Sequence, residues 1–147
     1  MGRAAVALLL LLGPTRPSTG PRYFELRASF VPATRAGTPS TLSVTFEPKE
    51  SDVEVNETPA PRLRLDPEQR VLLDKQPTPD ESRRAVDLAN PRYLDTALPV
   101  TFPVALVPGA PKGRHDLKAT VIYFYCSRRE RWCRKGESDI DFSVTVP

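Results

Sequence analysis

Asp116-Leu117-Lys118-Ala119-Thr120-Val121-Ile122-Tyr123-Phe124-Tyr125-Cys126 is the stretch on which the fold turns. Its odd positions, Leu117, Ala119, Val121, Tyr123 and Tyr125, are apolar throughout, the two-residue period of a strand with one buried face. Its even positions start polar at Asp116 and Lys118 and become apolar at Ile122, Phe124 and Cys126. The far end of this strand is therefore covered on both sides, or it faces a loop or a partner.

The same alternation recurs on either side. Phe24, Leu26, Ala28 and Phe30 form one stripe, and Leu42, Val44 and Phe46 a second. Val53 and Val55 flank Glu54, and Leu63 and Leu65 flank Arg64. Val100, Phe102, Val104 and Leu106 follow, and Ile140, Phe142, Val144 and Val146 close the chain. Between these stripes stand turn formers: Ala36-Gly37-Thr38-Pro39, Glu47-Pro48, Thr58-Pro59-Ala60-Pro61, Pro77-Thr78-Pro79 and Pro108-Gly109-Ala110-Pro111-Lys112-Gly113. Short strands separated by short loops predict an all-β, antiparallel sandwich. The 17 prolines among 147 residues exclude a helix bundle, because each interior proline removes a hydrogen bond and clashes with the preceding turn. Asp80 to Ala89 reads either as one short helical turn, capped by Asp80 and stopped at Asn90-Pro91, or as a loop.

The length suits one domain with a sizeable core. The N-terminus reads differently from the rest. Met1-Gly2-Arg3 is a short positive start, and Ala4 to Leu12 is an unbroken apolar run. That run falls far short of the roughly 20 residues needed to span a bilayer as a helix, and a charged start with a short apolar core is the pattern of a secretory signal peptide. Residues 1–20 are thus expected to be a signal peptide and residues 21–147 the sandwich, exported to a periplasmic or secreted location without stable membrane insertion. The mean hydropathy of −0.35 excludes a polytopic membrane protein. The formal net charge is +3, and without Arg3 and Arg16 it falls to +1, which does not point to nucleic acid. Charge is unevenly placed all the same. Five acids crowd Glu47 to Glu57, and eight bases lie between Lys112 and Lys135, both runs being compatible with solvated strand faces.

Chemistry is confined to the two cysteines. Cys126 and Cys133 bracket Ser127-Arg128-Arg129-Glu130-Arg131-Trp132, a spacing that places them across a hairpin-like connection. In an exported protein an even cysteine count reads first as a structural disulfide. Closing so short a loop stabilises a fold by about 2.5 kcal/mol in the chain-entropy model. The other reading is a redox-active pair, since Arg128, Arg129, Arg131, Arg134 and Lys135 crowd the loop and nearby cations favour thiolate. Structural zinc is excluded, because two cysteines and the single His115 do not supply four ligands. A Cys126–His115 nucleophile fails on distance if both lie on one strand, where eleven residues span roughly 36 Å. Gly-rich phosphate loops and G-x-S-x-G are lacking. Asn56-Glu57-Thr58 is a formal glycosylation sequon.

The order of features resembles the N-terminal, immunoglobulin-like domain of the thiol:disulfide interchange protein DsbD and related secreted thioredoxin-associated domains. The matching pieces are the first two strands through Phe46, Asp52-Val53-Glu54-Val55-Asn56-Glu57, the Pro108–Gly113 turn leading into Leu117 to Tyr125, the cysteines, and the closing strand Phe142 to Val146. Glu54 stands where that family usually has His, and six residues separate the cysteines where the redox-active examples usually have five. The resemblance implies an immunoglobulin-like sandwich in which Cys126 and Cys133 exchange electrons with a thioredoxin-like or membrane thiol–disulfide protein, without a cofactor. It also implies Cys126 as the cysteine that meets the partner. In that case the domain is a thiol–disulfide oxidoreductase module that depends on a separate donor. The alternative is a non-enzymatic protein-binding module, with the proline-rich loops and the acidic Glu47–Glu57 segment as its edge and the disulfide as a staple.

Overall fold

The computed structural model describes residues 23–33, 39–71, 73–75 and 82–147. The segment read as a signal peptide lies outside them, as do the turn formers at 36–38 and 77–79. Among the described residues eight strands follow one another: β1 (Phe24–Val31), β2 (Ser40–Pro48), β3 (Val53–Val55), β4 (Arg62–Leu65), β5 (Leu73–Lys75), β6 (Val100–Leu106), β7 (Gly113–Ser127) and β8 (Trp132–Val146). They form two antiparallel sheets. One has the order β1-β2-β6-β5. In the other, β7 carries β3 and β4 in succession along one edge and β8 along its other edge. The expected all-β sandwich is what the chain forms.

Each stripe read from the sequence buries its apolar phase between the sheets. Leu42, Val44 and Phe46 of β2 meet Leu117, Ala119, Val121 and Tyr123 of β7 and Ile140, Phe142 and Val144 of β8 in one core. At one end the core is aromatic. Phe24 meets Phe46, Tyr123 and Tyr125 edge-on, with centroids 5.7–6.1 Å apart, the arrangement favoured by ring quadrupoles. Tyr123 also bonds through its hydroxyl to Ser138 Oγ at 3.1 Å, which satisfies both buried groups. Gly136 stands directly opposite Tyr123 in the β7–β8 register. A Cβ at that position would lie 2.7 Å from Tyr123 Cζ, so the ring takes the space that glycine leaves.

Pro103 in the middle of β6 looks at first like a breaker. Thr101 exchanges both backbone bonds with Arg83 on the side away from β2, and β5 joins that side only from Val104 onward. Pro103 shares the phase of Thr101 and falls in the gap between these two partners, where its lost N–H costs little.

Three features differ from the sequence reading. The described part of the Asp80–Ala89 segment is extended from Ser82 to Val86, bridging Arg83 to Thr101 and Val86 to Leu94, and then turns at Leu88 and Ala89. The single helical turn among the described residues lies instead at Pro67–Val71. Strand pairing wins at 82–86 because β6 and the chain at Leu94 offer open edges there. Strand β5 was not foreseen, being only three residues long. Finally, β8 begins at Trp132, well before the Ile140 stripe, because β7 supplies a ladder partner for every residue from Ser127 back to Gly113.

Candidate functional site

The far end of the β7–β8 hairpin carries the cysteines. Four residues, Arg128 to Arg131, make the turn, and Arg131 adopts a positive φ of 56°. Ser127 organises it: its Oγ accepts from Glu130 N–H at 3.0 Å, and its carbonyl accepts from Arg131 N–H at 3.0 Å. The turn is also tied to the chain before β3. Ser127 Oγ donates to Asp52 at 2.7 Å, and Arg128 N–H donates to the Asp52 carbonyl at 3.1 Å. The Ser127 hydroxyl holds the Asp52 carboxyl below its ordinary range, against desolvation and with further help from the Arg129 guanidinium.

Backbone phase dictates how the sulfurs meet. Phe124 gives its carbonyl to Asn56 N–H, and Arg128 turns its N–H to Asp52, so even positions of β7 bond toward β3. Cys126 shares that phase and therefore faces Cys133 as a non-hydrogen-bonded pair, the closer of the two antiparallel kinds. The Cα atoms are 4.0 Å apart and the sulfurs are joined at 2.02 Å. The disulfide expected from the cysteine count is present. It lies on the outer face of its sheet, in the phase opposite to the core residues Leu117, Ala119, Val121 and Tyr123. On this face Ile122 and Phe124 are half-buried, so the apolar far end of β7 is partly covered from outside.

The two sulfurs differ in access. Cys126 is 6% exposed, whereas Cys133 is an exposed residue. Both line an open groove of 420 Å³ whose walls come from Asn56, Glu57 and Thr58 on one side and Pro91, Arg92 and Tyr93 on the other. That second wall is held by strand-like pairing, with Leu94 N–H to the Val55 carbonyl at 2.9 Å and Glu57 N–H to the Arg92 carbonyl at 2.8 Å. Asn56 places its carboxamide 3.1 Å from Cys126 Sγ. This use of the side chain, in a groove wall with its backbone bonded into the sheet, argues against the sequon at Asn56 as a sugar attachment site.

Arg128 and Arg131 line a second pocket with both cysteines, but most of the loop cations are committed elsewhere. Arg128 pairs with Glu54 at 2.8 Å, Arg129 with Asp52 at 3.7 Å and Lys135 with Glu137 at 2.9 Å. Arg134 lies over the Trp132 ring, 4.4 Å from its centroid, on the inner face of β8. Their pull on a thiolate is thus offset by neighbouring carboxylates or directed to a ring. Glu54 stands opposite Cys126 in the β3–β7 register. Desolvation pushes its carboxyl up, Arg128 opposes that, and Asp87 adds to it. Glu57 goes the other way, held down by its bonds to Thr58 and then Arg84.

His115 lies on the same unbroken strand as Cys126, eleven residues away, and its Nε2 meets the Pro111 carbonyl at 2.8 Å. A Cys126–His115 nucleophile is thereby excluded. Among the described residues no cluster of three His, Cys, Asp or Glu could hold a metal, and no helix is long and apolar enough to cross a membrane. Asn56 was legible only as part of a strand motif, and Arg92 and Tyr93 not at all, since their placement depends on a pairing about 37 residues distant along the chain.

Fold and site together define a two-sheet, all-β sandwich with a cross-strand disulfide on an outer sheet face. Comparison with protein-family models, curated proteins and solved structures finds no match to this chain.

Proposed function

We propose that this chain is an exported thiol–disulfide exchange domain of the DsbD-like, immunoglobulin-like kind. Cys126 and Cys133 pass electrons between a thioredoxin-like or membrane dithiol donor and other exported proteins. The observation that carries this reading is the asymmetry of the pair: one sulfur exposed in an open groove, the other shielded beneath it.

In the exchange, a thiolate of the donor dithiol attacks Cys133 Sγ and forms a mixed disulfide, and Cys126 leaves as a thiolate. The donor's second thiolate then attacks its own sulfur in the mixed bond, releasing Cys133. The donor leaves oxidised and the domain holds two thiols. Transfer to a target disulfide runs the same steps in reverse, with Cys133 attacking and Cys126 resolving.

A second reading is favoured by the pairing of Arg128 with Glu54 and Arg129 with Asp52, which weakens thiolate stabilisation from the loop. In it the bond is a staple in a non-enzymatic binding module. The reduction potential separates the two. Equilibration of the purified chain with defined dithiol buffers is expected to give a value between roughly −120 and −270 mV, in the range of exchange catalysts. A value below about −300 mV marks a structural bond and overturns the exchange reading.

A further inference from the structure

Asn56 touches the shielded cysteine through its amide oxygen, Oδ1 lying 3.1 Å from Cys126 Sγ. Its position is fixed from both edges of the chain that carries it. Its N–H bonds to the Phe124 carbonyl at 2.8 Å, and it bridges to Tyr93 on the other side. The carboxamide therefore sits on the outer face, diagonal to Cys126, as one wall of the groove.

While the disulfide is intact, neither sulfur carries a hydrogen, and Asn56 has no S–H to accept from. A carboxamide offers an acceptor and two donors, exchanged by a half-turn of its last torsion. When a dithiol opens the bond at exposed Cys133, the electron pair of the S–S bond leaves on Cys126 Sγ. Charge then appears on a sulfur shielded from water, where a donor that the half-turn brings into contact counts for most. Resting on the exchange reading above, we propose that the Asn56 carboxamide donates an Nδ2–H hydrogen bond to Cys126 Sγ as it leaves. Cys126 is thereby the leaving and resolving sulfur, and the exposed Cys133 meets the partner, the reverse of the roles the family resemblance implied. The charged and titratable groups around Cys126 are Glu54 on β3, tied to Arg128 of the turn, Arg131 of the same turn, Glu57, tied to Arg84, and Arg92 and Tyr93 across the groove. None of them is altered in the test that follows.

In the full chain carrying Cys133→Ser, Cys126 is the sole thiol, and its ionisation is followed by ultraviolet thiolate absorbance against pH. Adding Asn56→Leu is expected to raise the midpoint by about one pH unit, through loss of a charge-assisted bond. Adding Asn56→Asp is expected to raise it further, because a carboxylate then faces the thiolate. With both cysteines present, Asn56→Leu should slow reduction by dithiothreitol about threefold to tenfold, since a more basic sulfur leaves more slowly. Circular dichroism checks folding, and Asn56→Ala replaces Asn56→Leu if the larger side chain prevents it. A midpoint unmoved by either apolar variant overturns the hydrogen bond, whatever the potential of the disulfide. A moved midpoint on a disulfide too reducing for exchange confirms the hydrogen bond and overturns the exchange reading alone.

Discussion

The two ends of the β7–β8 ladder are built from one continuous pairing yet serve different ends. From Gly113 to Val121, opposite Ser138 to Val146, alternate side chains are buried, and most of the outer face carries exposed charged or polar residues such as Asp116, Lys118, Asp139 and Asp141. From Ile122 to Ser127, opposite Trp132 to Glu137, the alternation breaks down. The inner face there is aromatic, with Tyr125, Trp132 and Tyr23 in contact, and the outer face holds Phe124 and the disulfide. The near end is held by burial between sheets. The far end still rests on the other sheet through Tyr123 and Tyr125 against Phe24, but it adds local bonds of its own: the Ser127–Asp52 anchor, the Tyr23–Trp132 contact and the S–S bond itself. A ladder can thus present reactive atoms at one end because the other end secures the register.

That contrast is broken first at the core. Phe142→Ala removes a ring packed between the sheets and should cost about 3–5 kcal/mol, as cavities left by buried aromatics do. Urea unfolding should show a lower midpoint with an unchanged slope. A loss below about 1 kcal/mol would mean that the near end is not what secures the hairpin.

At the far end the expected loss is smaller. Replacing both cysteines by alanine should lower stability by about 2.5 kcal/mol, the chain-entropy value for so short a loop, and leave the fold intact. Far-ultraviolet circular dichroism and urea unfolding of the double variant check this. Loss of the fold would make the bond a staple on which the whole domain depends, and would count against the exchange reading.

The smallest effect sharpens the picture within the turn. Asp52 has a folded pKa below its ordinary value of 3.8, so its contribution is present above that pH and is lost as pH falls through the folded value. In acid the Ser127–Asp52 bond weakens, and the Glu130 amide, which bonds to Ser127 Oγ, should lose protection, its exchange moving closer to the intrinsic rate. Asp52→Asn should remove this pH dependence, while amides of the near end remain unaffected. Equal acid sensitivity at both ends would show that the turn is not a separate local unit.

The strands were legible because their signal is local. A two-residue period marks β1, β2, β6, β7 and the end of β8, and it survives in any context that buries one face. The disulfide was legible too, from two cysteines a hairpin apart. The three-residue β5 carried no period to read. The 82–89 segment was open between helix and loop because its apolar residues are few, and the edge of β6 decided it. For the cysteines, the shielding of Cys126 was legible from its place at the apolar end of β7, whereas the groove on which Cys133 opens has no sequence signal.

By itself, then, the sequence determined the class of fold, the strand phases, and the pairing of the sulfurs, all of which follow from side-chain alternation and short-range spacing. Only the tertiary structure decided which face the disulfide occupies, which sulfur is open, and that Asn56, Arg92 and Tyr93 enclose it. Those depend on which backbone groups of β7 point to β3 and which to β8. That phase is set by pairing partners about 70 residues apart along the chain, through hydrogen bonds that any residue can make.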